Sequence, residues 1–295
     1  MHLLSRLDTV ILHKNLSKAA PTYDQAAELA RQVGQSMLKR LDLVVLEPQL
    51  IVDIGCGTGY FTDLLKKRYK HSHLIALDNN LAMLEQIKRR NKWWQRQQPL
   101  IQADMQQLPF ADHSVDLIFA NLVLPWAIDL PLLMREWQRV LKPQGLLMFS
   151  SLGVDSLKEL RASWAMVDDQ IHAHEFLDMH EVGDALVQAG FLNPVLDVEY
   201  YTLTYPDVAL ILQDLTATGS QNVDKRRRKT LTGKNRFAHF LKAYESWRNE
   251  QHLLPLTYEI VFGHAWGRGP STRASVNEQG VVSIPIQHIG SKKKS

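Results

Sequence analysis

The chain has 295 residues, 45% hydrophobic and 22% charged, with a net charge of +3 at pH 7, which is ordinary for a soluble globular protein with a sizeable core. Its single cysteine, Cys56, excludes an intramolecular disulfide framework or a Cys-cluster metal site, and fits a reducing, cytoplasmic location. The longest nearly uncharged run, 117–128, is shorter than the about 20 apolar residues that span a bilayer, and no secretory signal is visible at the start.

Between residues 49 and 151, short apolar strands alternate with helical patterns, which predicts a parallel sheet with crossover helices. A helix over about 130–141 is expected to end at Pro143 and Gly145, which stop helices. The other predicted strands are 50–54, 74–77, a third beginning at 100–101, 115–120 and 145–150, and the other predicted helices are 60–69 and 81–91.

After residue 151 the pattern changes to helices over 155–170 and 180–189 and strands over 195–205 and 258–266. Between these two strands lie a helix, a basic loop and a second helix, and a segment of that length inside a sheet predicts a lid or binding insertion. The predicted division is an N-terminal helical cap (1–48), an α/β core (49–205), a helical lid (206–254), a final core strand (255–270) and a flexible tail (271–295).

A glycine-rich turn, Val-Asp-Ile-Gly-Cys-Gly-Thr-Gly at 52–59, joins the first strand to the next helix. Gly55, Gly57 and Gly59 let the backbone turn tightly and approach a ligand without a Cβ in the way. The spacing differs from the G-x-G-x-x-G of dinucleotide sites. Asp53, just before the first glycine, would repel a pyrophosphate but not the cationic amino acid end of S-adenosylmethionine. The turn therefore favours S-adenosylmethionine over NAD.

Polar and thioether residues follow the next strands of the predicted sheet. Asp78, at the end of the second strand, is placed to accept both ribose hydroxyls of a nucleoside. Asp104 can accept a hydrogen bond from an adenine amino group, and Met83 and Met105 can pack on the ring. Asn121 ends the fourth strand at the switch region where open α/β sheets bind ligands. Each carboxylate alone could equally be a helix cap or a turn residue, so the prediction depends on their occurring together with the glycine turn.

The chain resembles the malonyl-acyl carrier protein O-methyltransferases of biotin synthesis, within the class I methyltransferases. The similarity runs from Ser-Lys-Ala-Ala-Pro-Thr-Tyr-Asp at 17–24 to His-Ala-Trp at 264–266, and its most specific stretches are 153–161, 178–184, 231–234 and 255–259. It implies an α/β Rossmann-like fold with a mixed, mostly parallel sheet and helices on both faces. One departure is Pro125, where the family usually has Gln, so a polar contact made by that Gln in relatives is in doubt here.

The resemblance implies transfer of a methyl group from S-adenosylmethionine to the free carboxylate of a malonyl group on acyl carrier protein. The methyl ester masks the charge, so that fatty-acid synthesis enzymes can extend the chain toward pimeloyl. A carboxylate of this kind is already ionised at pH 7, so no general base is required and none is predicted. Orientation of the two reactants and exclusion of water must lower the barrier instead. No metal is expected.

Two residues are candidates for binding the substrate carboxylate. Arg161 falls on the edge of an apolar helix face, where a desolvated charge needs a partner. That partner is either Asp168, on the same face, or the malonyl carboxylate, which the resemblance favours. Tyr23 lies in the segment that resembles the family's cap over the cofactor. It either donates its hydroxyl to the same carboxylate or closes the site, and the alternative is ordinary aromatic packing.

A basic block in the predicted lid suggests how the carrier protein docks. It consists of Lys225, Arg226, Arg227, Arg228 and Lys229. Such a block is usually a solvated loop, but clustered charge also speeds encounter with an acidic partner such as an acyl carrier protein. Nucleic acid is not expected, because no aromatic residues are interleaved with the block. A membrane partner is not expected either, and the sequence does not indicate an oligomeric state.

Three other functions compete with this one. The chain could be a class I methyltransferase for another small acceptor, such as a quinone precursor or a fatty acid. It could be a non-catalytic assembly factor that keeps the nucleotide pocket for stability. It could also be an NAD oxidoreductase, which the glycine spacing disfavours.

Overall fold

The computed structural model describes residues 6–90 and 98–269, together with the backbone of 275–276 and 282–283. The described residues contain one large sheet, whose strands are β1 Leu50–Ile54, β2 His73–Asp78, β3 Leu100–Gln102, β4 Val115–Ala120, β5 Leu141–Leu152, β6 Leu192–Tyr205 and β7 Leu254–Trp266. Their order is β3-β2-β1-β4-β5-β7-β6. The first five pair in parallel, and β7 is antiparallel to both β5 and β6. The predicted mixed, mostly parallel sheet is confirmed.

Helices precede the first strand and lie on both faces of the sheet. Before β1 come α1 Thr9–Ala19, α2 Tyr23–Ala26 and α3 Glu28–Arg40; between the parallel strands come α4 Tyr60–Arg68, α5 Leu81–Arg90 and α6 Leu130–Val140; then α7 Lys158–Ala165 and α8 Met179–Ala189 precede β6, and α9 Val208–Ala217 and α10 Lys234–Glu245 separate β6 from β7. The predicted tail, 271–295, lies outside the described residues, except for a two-residue strand pair, β8 Ser275–Val276 and β9 Val282–Ser283.

Two predicted element boundaries were wrong. Pro143 and Gly145 were expected to separate α6 from β5, but β5 begins at Leu141, immediately after α6. Leu141 pairs with Val115, and the register then shifts before Leu146, so the intervening residues form a bulge. Pro143, which has no backbone N–H, is tolerated in such a bulge.

The helix predicted over 155–170 is only Lys158–Ala165. Its start is displaced because Ser156 and Leu157 bond to β7: the Ser156 hydroxyl donates to the Glu259 carbonyl at 3.0 Å, and the Leu157 N–H to the Thr257 carbonyl at 2.7 Å. Beyond its end, the Asp168 carboxylate accepts the Gln170 N–H at 3.1 Å, which forms a turn.

The core lies on both faces of the sheet. On β4, Leu117 and Phe119 belong to one buried cluster, and Ile118 and Ala120 belong to another. Because successive side chains of a strand point to opposite faces, each cluster fills one side. Because both faces of the sheet are covered, a ligand must enter at the carboxyl ends of the strands. In open α/β sheets the binding crevice lies there, at the point where the strand order reverses direction.

Candidate functional site

The three glycines after β1 do different things, although all have positive φ: +64° at Gly55, +54° at Gly57 and +80° at Gly59. A Cβ on Gly55 would lie 2.5 Å from Val123 Cγ2, and one on Gly59 would lie 2.8 Å from Ile87 Cγ1. A Cβ on Gly57 would meet no atom within 4 Å. The outer two glycines therefore permit close packing, and Gly57 faces open space.

The two acids nearest this turn are buried. The Asp78 carboxylate accepts the Gly57 N–H at 2.9 Å on one oxygen and the Asn80 N–H at 2.8 Å on the other, and burial raises its pKa. Asp53 accepts the Thr62 hydroxyl at 2.6 Å, and burial raises its pKa to about 7. Each oxygen of Asp78 keeps a second lone pair for a ligand donor.

A cavity at the carboxyl ends of β1, β2 and β4, here called the central cavity, brings most of the predicted cofactor residues together. Those that line it are Gly55, Gly57, Asp78, Met83, Met105 and Asn121. Gly59 does not line it, and neither does Asp104, although its neighbours Ala103 and Met105 do. Asp104 is exposed and accepts the Gln106 N–H at 2.8 Å, which is the turn role weighed as its alternative.

Asp53 lines a smaller neighbouring space, here called the turn cavity, between the glycine turn and α2–α3. Gly55, Gly57 and Asn121 line both cavities, so the two adjoin. Arg31, which the sequence analysis missed, also lines the turn cavity. Two of its five N–H donors bond to the Asp24 carbonyl and, at 2.8 Å, to Glu28 Oε2.

Polar side chains fasten the N-terminal helices over these cavities. Asn80 Nδ2 donates to the His13 carbonyl at 3.0 Å and to Ser17 Oγ at 3.1 Å, both on α1. The Thr58 hydroxyl donates to Asp24 Oδ1 at 2.5 Å, and Asn121 Nδ2 donates to the Ala30 carbonyl at 2.9 Å. The side-chain amide of Asn121 is thus bound to α3. Asn80 was also missed, although an Asn just before a helical pattern is a known helix-start signal.

A third space, here called the lid cavity, lies beyond the central cavity toward α9, β6 and β7. The two share Leu16, Tyr23, Leu122 and Trp126. Tyr23 lines all three cavities, and burial raises its pKa to about 12. Among the described residues that line the lid cavity there is neither Lys nor Arg.

Arg161 does not line the lid cavity. It lies in a separate surface pocket with Asp168, His172 and Glu175, and its guanidinium donates to the Val154 carbonyl. Asp168, its proposed partner within the helix, instead bonds His172 Nε2 at 2.7 Å. The two pockets are close, because Leu157, one helical turn before Arg161, lines the lid cavity.

Part of the basic block is paired within the chain. Arg226 Nη2 lies 2.8 Å from Asp224 Oδ2, and Arg227 Nη1 lies 3.3 Å from Asp8 Oδ2. Arg228 Nε donates to the Thr230 hydroxyl at 2.7 Å. Because that hydroxyl is neutral, the bond does not neutralise the charge of Arg228. Lys225 and Lys229 are exposed. The block therefore both anchors the lid loop to the N-terminal segment and presents positive charge to solvent.

Comparisons with known proteins find relatives over nearly the whole chain. Residues 52–149 match the methyltransferase domain family. The malonyl-acyl-carrier protein O-methyltransferase of Gallionella capsiferriformans is 44% identical over 94% of this chain and 96% of its own length, and that of Halorhodospira halophila is 40% identical over 98% and 97%.

Solved structures show the same fold. The YcgJ protein from Bacillus matches with a TM-score of 0.54 and 16% identity, over 80% of this chain and all of that one. Phosphoethanolamine N-methyltransferase 2 of Haemonchus contortus, solved with S-adenosyl-L-methionine, matches with a TM-score of 0.51 and 15% identity, over 85% and 57%. In the part of the chain that the structure describes, no helix has the length and apolarity to cross a bilayer.

Proposed function

The chain belongs to the malonyl-acyl carrier protein O-methyltransferase family, and we propose that it methylates the free carboxylate of malonyl-acyl carrier protein with S-adenosylmethionine. The product is the malonyl methyl ester from which pimeloyl synthesis starts. The observation that carries this proposal beyond family membership is that two cavities adjoin and share part of their walls. One has the donors and acceptors of a nucleoside site, and the other is an apolar space without a fixed cation in its described wall.

The central and turn cavities fit S-adenosylmethionine. The free lone pairs of Asp78 suit two ribose hydroxyls, and the open space at Gly57 suits close approach of the ligand. Met83 and Met105 suit the faces of the adenine ring. In the turn cavity, Asp53 suits the ammonium group of the methionine moiety and Arg31 suits its carboxylate.

When bound, S-adenosylmethionine supplies a methyl group on a positively charged sulfur. The acceptor carboxylate is ionised at pH 7, so the protein need not remove a proton. What the chain contributes is alignment: Leu16, Tyr23, Leu122 and Trp126 border both spaces, so they set where the acceptor oxygen meets the methyl carbon. The apolar wall of the lid cavity excludes water from that meeting point.

The charge of the lid cavity suits this reaction. Methyl transfer to a carboxylate cancels the positive charge on sulfur and the negative charge on oxygen in one step. A Lys or Arg in the wall would be left buried and unpaired after the reaction, which is costly in free energy. The described wall has neither. Tyr23, at the junction of the three cavities, offers a neutral hydroxyl donor there instead.

Arg161 is proposed to guide the anionic acyl group toward the lid cavity. No carboxylate of the described residues forms an ion pair with it. Burial lowers the pKa of its guanidinium, although the carboxylates of Asp155, Glu175, Glu159 and Glu259 favour the charged form. We expect Arg161→Ala to lower kcat/KM for carrier-bound malonate while S-adenosylmethionine binds unchanged. Equal kcat/KM in the variant would remove Arg161 from this role.

Docking of the carrier protein is proposed for the exposed charges of the basic block. Because Arg226 and Arg227 pair with Asp224 and Asp8, the docking charge falls mainly on Arg228 and Lys229. Replacing these two by Ala should raise the KM for malonyl-carrier at low salt and have little effect at high salt, where screening already weakens the attraction. An unchanged KM at low salt would contradict docking at this surface.

The proposed reaction is tested with a panel of acceptors. Malonyl-carrier, free malonyl thioesters, a fatty acid and a quinone precursor are each incubated with the protein and methyl-labelled S-adenosylmethionine. We expect label only on the malonyl compounds. Label on the fatty acid or quinone precursor alone would replace the proposed acceptor, and no label on any compound would favour a non-catalytic role.

A further inference from the structure

Tyr258 is a buried residue whose hydroxyl has no hydrogen-bond partner among the described residues. It lies on β7, is 8% exposed and lines the lid cavity. Two nearby tyrosines differ: the Tyr205 hydroxyl donates to Asp214 Oδ2 at 2.8 Å, and the Tyr244 hydroxyl donates to the Pro255 carbonyl at 2.9 Å. Because Tyr258 is otherwise buried and borders this cavity, its hydroxyl is available to a group bound there.

The hydrogen bonds of the groups around Tyr258 leave its hydroxyl free to donate to a group that enters the lid cavity. His174 is the imidazole of the lid cavity wall, and burial lowers its pKa, so the ring is neutral at pH 7. Asp214 is the carboxylate of that wall, and the Tyr205 hydroxyl already donates to it. The Tyr258 hydroxyl is therefore a neutral donor in this wall with no internal hydrogen bond to break.

We propose that the Tyr258 hydroxyl donates a hydrogen bond to the acceptor carboxylate, on the oxygen that does not attack the methyl group. This inference rests on the proposed function. The attacking oxygen forms the new O–C bond, the C–S bond breaks, and its electron pair goes to sulfur. The other oxygen keeps its bond to Tyr258 throughout and becomes the carbonyl oxygen of the ester.

Such a bond helps both binding and release. A hydroxyl bonds more strongly to a charged oxygen than to a neutral one. Tyr258 therefore holds the carboxylate more tightly than the ester, and leaves no unpaired charge behind when the ester departs. Burial also raises the pKa of Tyr258 well above its usual value, so the phenol keeps the proton that it donates.

The test is Tyr258→Phe, which removes only the hydroxyl, with Tyr244→Phe as the matched control. Tyr244 is fully buried and does not line the lid cavity, and its hydroxyl is satisfied internally. For Tyr258→Phe we expect the KM for malonyl-carrier to rise about tenfold or more, as for loss of a hydrogen bond to a charged group. Calorimetric affinity for S-adenosylmethionine should be unchanged, and the melting temperature should be equal or higher. For Tyr244→Phe we expect a melting temperature lower by about 2–4 °C and an unchanged KM.

The outcomes separate this inference from the proposed function. If the unaltered protein does not methylate malonyl-carrier, the proposed function fails. If it does, and Tyr258→Phe has the same KM, the inference is overturned. A Tyr258→Phe variant that melts lower or loses affinity for S-adenosylmethionine also overturns it, because the hydroxyl then stabilises the fold or the cofactor site rather than the acceptor.

Discussion

Replacing Asp53 by Asn removes the ionisable group that the fold buries behind the glycine turn. The side chain is 2% exposed, and burial raises its pKa from 3.8 to about 7. Between these values the folded chain holds a proton that the unfolded chain has lost. The free energy of unfolding therefore falls as pH rises through this window, because the folded state binds more protons.

The magnitude follows from the displacement of the pKa. A shift of about 3 units at about 1.4 kcal/mol per unit makes the ionised carboxylate destabilising by about 4 kcal/mol above pH 7. Asn keeps an oxygen that can accept the Thr62 hydroxyl and does not ionise. Relative to the unaltered protein, Asp53→Asn should therefore gain about 4 kcal/mol of stability between pH 4 and pH 8.

Urea unfolding of the ligand-free protein at several pH values measures this difference, followed by tryptophan fluorescence. Asp104→Asn, which alters an exposed carboxylate at the same edge of the sheet, is the control and should show no such gain. A difference between Asp53→Asn and the unaltered protein that stays constant from pH 4 to pH 8 would refute the reasoning. Ligand binding should change in the opposite sense to stability. The Asp53→Asn variant should bind S-adenosylmethionine more weakly at pH 8, because the ammonium group of the ligand loses its counter-ion.

Three further predictions concern the same site. Gly57→Ala should cost only about 1–3 kcal/mol of stability but should weaken the binding of S-adenosylmethionine. The Gly55→Ala variant should lose more stability, because the new Cβ would lie 2.5 Å from Val123; urea unfolding measures the stability of both variants, and calorimetry measures their affinity for S-adenosylmethionine. Arg31→Ala should lower the affinity for S-adenosylhomocysteine about tenfold or more in calorimetry. The affinity for 5′-methylthioadenosine, which has no carboxylate, should be unchanged; equal losses of affinity for the two ligands would contradict the role proposed for Arg31. Asn80→Ala should increase proteolysis within α1 of the ligand-free protein, and an unchanged cleavage pattern would argue against this anchor.

The sheet was predictable from the sequence because its strands are buried on both faces. Leu117, Ile118, Phe119 and Ala120 are all fully buried, and such an uninterrupted apolar run has few other interpretations. The bulge after Leu141 was not predictable, because Pro and Gly between a helix and a strand usually mark a turn. Only pairing with β4 shows that the strand has already begun.

The positions of the cofactor residues were predictable where backbone hydrogen bonds fix the side chain. They were less predictable where the direction of the side chain depends on its local contacts. Asp78 is fixed by two backbone N–H groups at the end of β2. Asp104 follows β3 in the same way, but it turns to its own loop rather than into the central cavity. The order of residues could not show that Arg227 would pair with Asp8, because the two are 219 positions apart in the chain.

The intact mass of malonyl-acyl carrier protein after incubation with this protein and S-adenosylmethionine tests the central claim most directly. The account predicts a gain of one methyl group in place of a proton, which mild alkaline hydrolysis reverses because the product is an ester. Acetyl-acyl carrier protein, which has no free carboxylate, should gain nothing. An unchanged mass for malonyl-carrier, or an equal gain on acetyl-carrier, would contradict the account.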